Sequence, residues 1–122
     1  AAGITGIIMS SSTADIYNPK VIRSTMGSIY RVPFAIVADL PKAVDILRED
    51  GITCFAAHLK GELYNSGTLT KDCALLIGNE ANGLSDEVAN KADKLIKIPM
   101  AGKVESLNAA IATSILMYEA TR

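Results

Sequence analysis

Residues 97–118 read KIPMAGKVESLNAAIATSILMY and join an apolar strand, a glycine-containing loop and a helix. The strand ends at Ile98 and Pro99, and the loop runs from Met100 to Glu105. Apolar side chains at helical spacing predict one buried stripe on the helix, made of Leu107, Ile111, Ile115 and Tyr118. Ser106 is placed to cap the first turn, because its hydroxyl accepts a backbone N–H there.

Three polar residues lie together where this loop enters the helix: Glu105, Ser106 and Asn108. A helix needs only one cap, and three hydrogen-bonding side chains at a strand-to-helix turn are typical of a ligand site. A cap with two solvated neighbours gives the same pattern. The stretch by itself leaves both interpretations open.

Strand and helix patterns alternate along the whole chain. Five short apolar runs predict strands over residues 4–9, 34–38, 52–57, 73–77 and 94–98. Helices are predicted over residues 19–28, 41–49 and 85–90 and at the C-terminus, with residues 58–69 assigned as loop. The strands are nearly continuous in apolar residues, which indicates an α/β fold with a parallel sheet covered by helices on both faces.

Composition limits the class of protein. A chain of 122 residues with 49% hydrophobic and 20% charged residues predicts one globular domain, and a net charge of −1 argues against a strongly basic surface. No apolar run approaches the roughly 20 residues of a membrane span. These features favour a cytoplasmic protein with no membrane partner.

Cysteine and histidine usage gives no sign of a metal site. Cys54 and Cys73 lie in or beside apolar runs without metal-ligand spacing, and we interpret both as buried thiols in a reducing compartment. His58 is the only histidine and has no partner, so we predict a solvated loop residue.

Two loops follow predicted strands at the edge where parallel sheets bind ligands. Residues 78–83 read GNEANG, and residues 99–108 form the loop described above. The first loop lacks the phosphate-binding glycine patterns, and Glu80 would repel a phosphate. It suits a neutral or cationic ligand or a substrate hydroxyl; a plain turn with a solvated glutamate is the alternative.

Taken together, the two loops resemble the signature of the SpoU (TrmH) branch of the SPOUT RNA methyltransferases. The second motif of that family, an apolar strand followed by G-x-E-x-x-G-L, is matched by residues 76–84, LIGNEANGL. The third, I-P-M-x-G-x-x-x-S-L-N, is matched by residues 98–108, IPMAGKVESLN. Residues 15–33 also resemble the stretch after the first motif in members that act on ribosomal RNA. The resemblance covers nearly the whole chain.

The resemblance implies a deep trefoil knot at the C-terminal end of the sheet and S-adenosylmethionine as cofactor. The adenosyl moiety would lie against backbone near Gly78, Ile98 and Leu107, with Ile77 and Met100 as neighbours. The family also forms dimers through the last helix, so a homodimer is expected here. No metal is implied.

The reaction implied by the resemblance is methyl transfer to a ribose 2′-hydroxyl of RNA, with ribosomal RNA as the expected substrate. Asn108 and Ser106 would position the substrate and the reacting groups, and Glu80 would hold an active-site arginine or the ribose. A basic group in the first third of the chain would contact RNA phosphates: Lys20, Arg23 and Arg31. Arg23 is the preferred residue, because it belongs to the family-like stretch.

One part of the family pattern has no match. The first motif, resembling N-x-G-x-x-x-R, should precede the first strand and would carry the arginine that acts on the 2′-hydroxyl. We therefore expect residues 1–122 to be a single SpoU-type domain truncated at its N-terminus. The alternative function is that of a catalytically deficient fragment that binds the cofactor, or of an RNA-binding module. A third and less specific interpretation is a nucleotide-binding α/β domain.

Overall fold

The computed structural model describes residues 2–11, 31–70, 72–78, 83–102 and 108–122. Within these ranges the five predicted strands and three of the four predicted helices are present: β1 (Ile7–Ser10), β2 (Phe34–Val37), α1 (Leu40–Glu49), β3 (Thr53–Leu63), β4 (Cys73–Leu76), α2 (Asp86–Lys91), β5 (Lys94–Lys97) and α3 (Ala109–Ala120). The helix predicted over residues 19–28 lies outside the described residues. The chain divides into two compact units, residues 3–40 and residues 41–122.

The first unit contains a pair of parallel strands. β1 and β2 pair in register from Ile7 opposite Phe34 to Ser10 opposite Val37. The ladder begins with a hydrogen bond of 3.0 Å from the Ile7 N–H to the Pro33 carbonyl. The predicted strand started three residues earlier, but residues 4–6 precede this first ladder bond and so lie outside the strand.

The second unit contains a three-stranded parallel sheet in the order β4-β3-β5. β3 pairs with β4 from Thr53 opposite Cys73, and with β5 from Phe55 opposite Lys94. The prediction of parallel strands is confirmed in both sheets. Because parallel strands end at the same edge, the segments that leave β4 and β5 start from one side of this unit.

Both faces of β3 are covered. Phe55 and Ile96 on one face are at most 1% exposed and cluster with Leu116 of α3, so α3 packs on that face. Cys54 and Ala56 point to the opposite face and are fully buried. The apolar runs of the sequence therefore correspond to a strand buried on both sides, as predicted.

Asp93 connects three elements of the second unit. Its carboxylate accepts the Cys54 N–H at 2.7 Å and the Arg48 Nε–H at 3.1 Å, and its own N–H donates to the Cys54 carbonyl at 2.8 Å. A second ion pair of 2.8 Å joins Lys91 of α2 to Asp45 of α1. These contacts hold α1 beside α2 and the start of β3.

β3 is longer than predicted, and the assignment of residues 58–69 as loop is wrong for its first part. Ala57 and Glu62 both pair with Ile96, so residues 58–61 bulge out of the ladder while the strand continues to Leu63. We call residues 58–61 the β3 bulge. His58 lies in it half-buried, so the prediction of a solvated loop residue is wrong.

Two contacts fix the shape of the β3 bulge. The His58 Nδ1 accepts the Lys60 N–H at 3.1 Å. Gly61 lies against the backbone of β5, and a Cβ at this position would be only 2.5 Å from the Ile96 nitrogen and from the Leu95 carbonyl carbon. Only glycine allows this close approach of two backbones.

Gly61→Ala is therefore expected to destabilise the chain by about 1–3 kcal/mol, the usual cost of forcing an extra methyl into a packed site. Urea unfolding measures the change. Gly102→Ala is the matched control, because nothing lies within 4 Å of its Cβ position. Equal midpoints for both variants would contradict the close approach.

The C-terminal helix differs from its prediction in its cap and in its buried face. Asn108 is the N-cap of α3, so the prediction that Ser106 caps the helix is wrong. Leu116 and Ala120 are buried, whereas Ile111 and Tyr118 of the predicted stripe are 55% and 57% exposed. The helix carries apolar residues around its whole circumference, so the spacing pattern did not identify the face that packs on the sheet.

Both thiols are shielded from water, Cys54 fully and Cys73 partly. Burial raises the pKa of each thiol above its ordinary value of 9.0, and the carboxylates of Asp93 and Asp72 act in the same direction. The prediction of a buried thiol is confirmed for Cys54, while Cys73 is only half-buried.

These raised pKa values predict a stability loss at alkaline pH. Above pH 9.0 the thiols of the unfolded chain lose protons that the folded chain retains, so the free energy of unfolding falls as pH rises from there. The stability contribution is complete below the unfolded pKa. Urea unfolding between pH 7 and 10 should show a steeper decline for the parent chain than for Cys54→Ala, and parallel declines would contradict the assignment.

No helix within the described ranges is both long enough and apolar enough to span a membrane. Among the same residues, no three metal-binding side chains lie close enough to share an ion.

Candidate functional site

The candidate site lies at the carboxyl edge of the three-stranded sheet. Ile77 and Gly78 follow β4, and residues 98–100 follow β5. Ile77 and Ile98 both pack against the buried cluster of Phe55, Ile96 and Leu116, yet each remains half-exposed. The core therefore fixes two aliphatic side chains at this edge. β3 runs between them, so the outer strands are about 10 Å apart, or two strand spacings.

The loop after β4 is closed at its base by two glycines. A Cβ on Gly78 would overlap the carbonyl group of Gly83 and the nitrogen of Leu84. Gly83 has φ of +65°, a conformation that L-residues with side chains rarely adopt. Backbone thus meets backbone where the loop leaves and rejoins the fold, which confirms the prediction of a tight turn with glycine at both ends.

The loop after β5 leads to Asn108, whose side chain caps α3. Its Oδ1 accepts the N–H groups of Ala110 at 2.9 Å and Ile111 at 3.4 Å. Two bonds to one oxygen fix the plane of the carboxamide, and therefore the direction of its NH₂ group. The side chain is exposed, so a group of fixed orientation is presented at the surface.

α2 shows the same capping chemistry, as the sequence predicts. Ser85 caps this helix through its hydroxyl, which accepts the Val88 N–H at 3.3 Å. Asp86 and Glu87 occupy the first turn, where the helix dipole favours negative charge. This helix begins at Asp86, shortly after the closed base of the β4 loop.

Five of the predicted site residues lie in the described part of the chain: Ile77, Gly78, Ile98, Met100 and Asn108. The structure brings the first four to the carboxyl edge of the sheet, and Met100 is half-buried there. Four others lie outside the described residues and stay predictions: Arg23, Glu80, Ser106 and Leu107.

The β3 bulge is part of this edge, although the sequence pattern predicted a loop there. β3 is the middle strand, and its residues 58–61 leave the ladder between the exits of β4 and β5. The sequence signal was Gly61 within a polar stretch, which we interpreted as a loop. A glycine inside a strand also indicates a bulge, and bulges are common beside active sites.

Comparison with known proteins identifies the family. The model of the SpoU rRNA Methylase family matches residues 1–118. The chain belongs to this family. The match includes both loops of the candidate site, so the resemblance drawn from the two motifs is confirmed.

Relatives of this SpoU family chain include proteins of known activity and structure. It is 34% identical over 119 residues to the 23S rRNA (guanosine(2553)-2′-O)-methyltransferase RlmP of Bacillus subtilis, covering 97% of this chain and 48% of that protein. It is 33% identical to the SpoU methyltransferase AviRb of Streptomyces viridochromogenes, solved with AdoMet, with a TM-score of 0.89 over 98% of this chain and 50% of that one.

A third relative is the AdoMet-bound rRNA methyltransferase of Sinorhizobium meliloti. It is 37% identical, with a TM-score of 0.85 over 98% of this chain and 46% of that one. This SpoU family chain spans about half the length of the relatives it matches. The parallel α/β architecture is thus that of solved SpoU methyltransferases.

Proposed function

We propose that this chain binds S-adenosylmethionine and transfers its methyl group to a ribose 2′-hydroxyl of RNA, with ribosomal RNA as substrate. The observation that carries the proposal is the carboxyl edge of the three-stranded sheet. There the loops of the two family motifs leave β4 and β5, which flank β3 on either side. Gly78 closes the base of the first loop, and hydrogen bonds fix the Asn108 side chain at the end of the second. Family membership and the printed activities of the relatives support the same reaction.

The residues at this edge fit the cofactor. The adenosyl group needs aliphatic walls and backbone hydrogen-bonding groups. Ile77, Ile98 and Met100 are half-buried apolar side chains that provide such walls, and Gly78 has no side chain between its backbone and a ligand. With Leu107, these residues are proposed to hold the cofactor, whose sulfonium supplies an activated methyl group when it is bound.

The chain's own residues would orient the substrate ribose toward the methyl group. Asn108 is proposed as a positioning residue, because two hydrogen bonds to its Oδ1 hold its carboxamide at the start of α3. Ser106 and Glu80 belong to the same two motifs, and we assign them to the ribose and its hydroxyl. Arg23 is assigned to an RNA phosphate. Orientation of two reactants is the main contribution a protein makes to such a transfer.

The remaining features of the family are proposed here as well. The 122 residues act as one SpoU-type domain with a C-terminal trefoil knot, in the cytoplasm, and the chain forms a homodimer. The exposed apolar face of α3 supports the dimer, because Ile111 and Tyr118 are more than half exposed in the single chain.

Ile111→Lys tests the dimer. A buried lysine without a partner is costly, so the sedimentation coefficient is expected to fall from that of a dimer to that of a monomer at micromolar concentration. Ser114→Lys, on the same side of α3, would act alike, whereas Ile46→Lys on α1 should leave the assembly unchanged. A parent chain that already sediments as a monomer would overturn the homodimer.

The proposed reaction is tested in two steps with the full chain. Calorimetry with S-adenosylmethionine should show saturable binding, and methyl-labelled cofactor should label protein-free 23S rRNA at ribose 2′-oxygens. Binding without transfer would favour the alternative, a catalytically deficient cofactor-binding module. If titration with S-adenosylmethionine gives no heat of binding but titration with a nucleotide does, the proposal is overturned.

A further inference from the structure

We propose that Lys60 and Lys97 bind the phosphate backbone of the RNA substrate beside the candidate site. This inference rests on the proposed function, because it names the residues that hold the RNA at that site. Neither residue belongs to the motifs that identify the family.

The two lysines lie on neighbouring strands of the sheet, toward its carboxyl edge. Lys60 is in the β3 bulge, which leaves the ladder between the exits of β4 and β5. Lys97 is the last residue of β5 and pairs with Leu63, two residues after Gly61. Its carbonyl accepts the Tyr64 N–H at 2.9 Å, which fixes the backbone at this point. Both side chains are exposed.

The β3 bulge presents Lys60 in a defined conformation. Gly61 lies against the β5 backbone, and the Lys60 N–H donates to His58 Nδ1 at 3.1 Å. Leu59, beside Lys60, is 72% exposed, and Lys60 is exposed as well, so this part of the bulge faces solvent. A rigid backbone lowers the entropic cost of holding the ammonium group against a ligand.

Charge pairing distinguishes these two lysines from four other basic residues that the structure describes in the second unit. Four basic side chains form ion pairs with carboxylates: Arg48, Lys91, Lys94 and Arg122. Glu62, the acidic residue next to the bulge, is already paired with Lys94 at 3.9 Å. Lys60 and Lys97 form no ion pair with any residue that the structure describes. Two such cations beside the candidate site suit an RNA phosphate.

The salt dependence of RNA binding tests this inference. Binding of the full chain to protein-free 23S rRNA is measured at several salt concentrations for the parent and for Lys60→Gln, Lys97→Gln and the double variant. Each lost phosphate contact should reduce the magnitude of the slope of log K against log salt by about 0.7 to 0.9, and the double variant by about twice that. Lys91→Gln, which makes the same charge change at a paired lysine, should leave the slope unchanged.

Calorimetry with S-adenosylmethionine on the same variants separates this inference from the proposed function. Unchanged cofactor affinity with a reduced salt slope supports both. A double variant with the parent slope, or an equal loss in Lys91→Gln, would overturn the lysine assignment alone. A parent chain that binds cofactor but no RNA would overturn both the lysine assignment and the proposed RNA substrate. Lysine-dependent RNA binding without cofactor binding would overturn the proposed function and leave the RNA contact standing.

Discussion

Gly78→Ala is expected to abolish S-adenosylmethionine binding by this chain, with a loss of affinity of at least about 100-fold. The added Cβ would overlap the backbone of Gly83 and Leu84. Backbone atoms do not move aside as a flexible side-chain tip does, so the loop between them must open. The motif glutamate lies within this loop, and Ile77 lies directly before it. One methyl group therefore displaces a wall of the proposed cofactor site.

The same substitution should lower the free energy of unfolding by about 3 kcal/mol, the upper part of the range for overpacking. Calorimetry and urea unfolding measure the two effects. Gly6→Ala is the matched control, because its Cβ would meet the Pro33 carbonyl oxygen at an ordinary contact distance of 3.5 Å. Wild-type cofactor affinity in Gly78→Ala would show that the closed base of the loop is not needed for binding.

The strands and the helices α1 and α2 were predictable because the sequence patterns that indicate them involve only neighbouring residues. The apolar run CALLI predicted a strand over residues 73–77, and β4 spans Cys73–Leu76. The helix predicted over residues 41–49 agrees to within one residue with α1, which spans Leu40–Glu49. Short apolar runs without alternation also implied parallel pairing, which the registers confirm. In each case neighbouring residues alone carried the information.

The features that sequence analysis missed depend on partners distant along the chain. Residues 58–63 look like a polar loop, and they continue β3 because Glu62 and Leu63 pair with β5 more than thirty residues later. The choice of face on α3 is equally non-local. Leu116 is buried because it packs against Phe55 and Ile96 of the sheet.

The site was predictable to different degrees for its two loops. Glycines at both ends of GNEANG predicted a closed turn, and Gly78 and Gly83 form it. The helix cap was ambiguous, because Ser106 and Asn108 are both good capping residues two positions apart. The hydrogen bonds assign the cap to Asn108. A residue proposed for substrate positioning therefore also has a structural role, and variants must separate the two.

Substitutions at Asn108 separate these roles. Asn108→Ala removes the cap and the NH₂ group together, so it should cost about 1 kcal/mol of stability as well as activity. Asn108→Asp keeps an oxygen for the Ala110 and Ile111 N–H groups and places negative charge at the N-terminus of α3, where the helix dipole favours it. It should fold as stably as the parent.

If the NH₂ group orients the substrate, Asn108→Asp should nevertheless lose methyl transfer to 23S rRNA by about 100-fold, the typical cost of removing one positioned donor. Asn108→Ser provides the uncharged comparison, because its hydroxyl also caps the helix and it adds no charge to repel RNA. If both variants lose the same amount of methyl-transfer activity and unfold at the same urea concentration as the parent, the loss is due to the missing amide group. Parental activity in both variants would leave Asn108 as a helix cap alone, since the oxygen is the only part of the carboxamide that they reproduce.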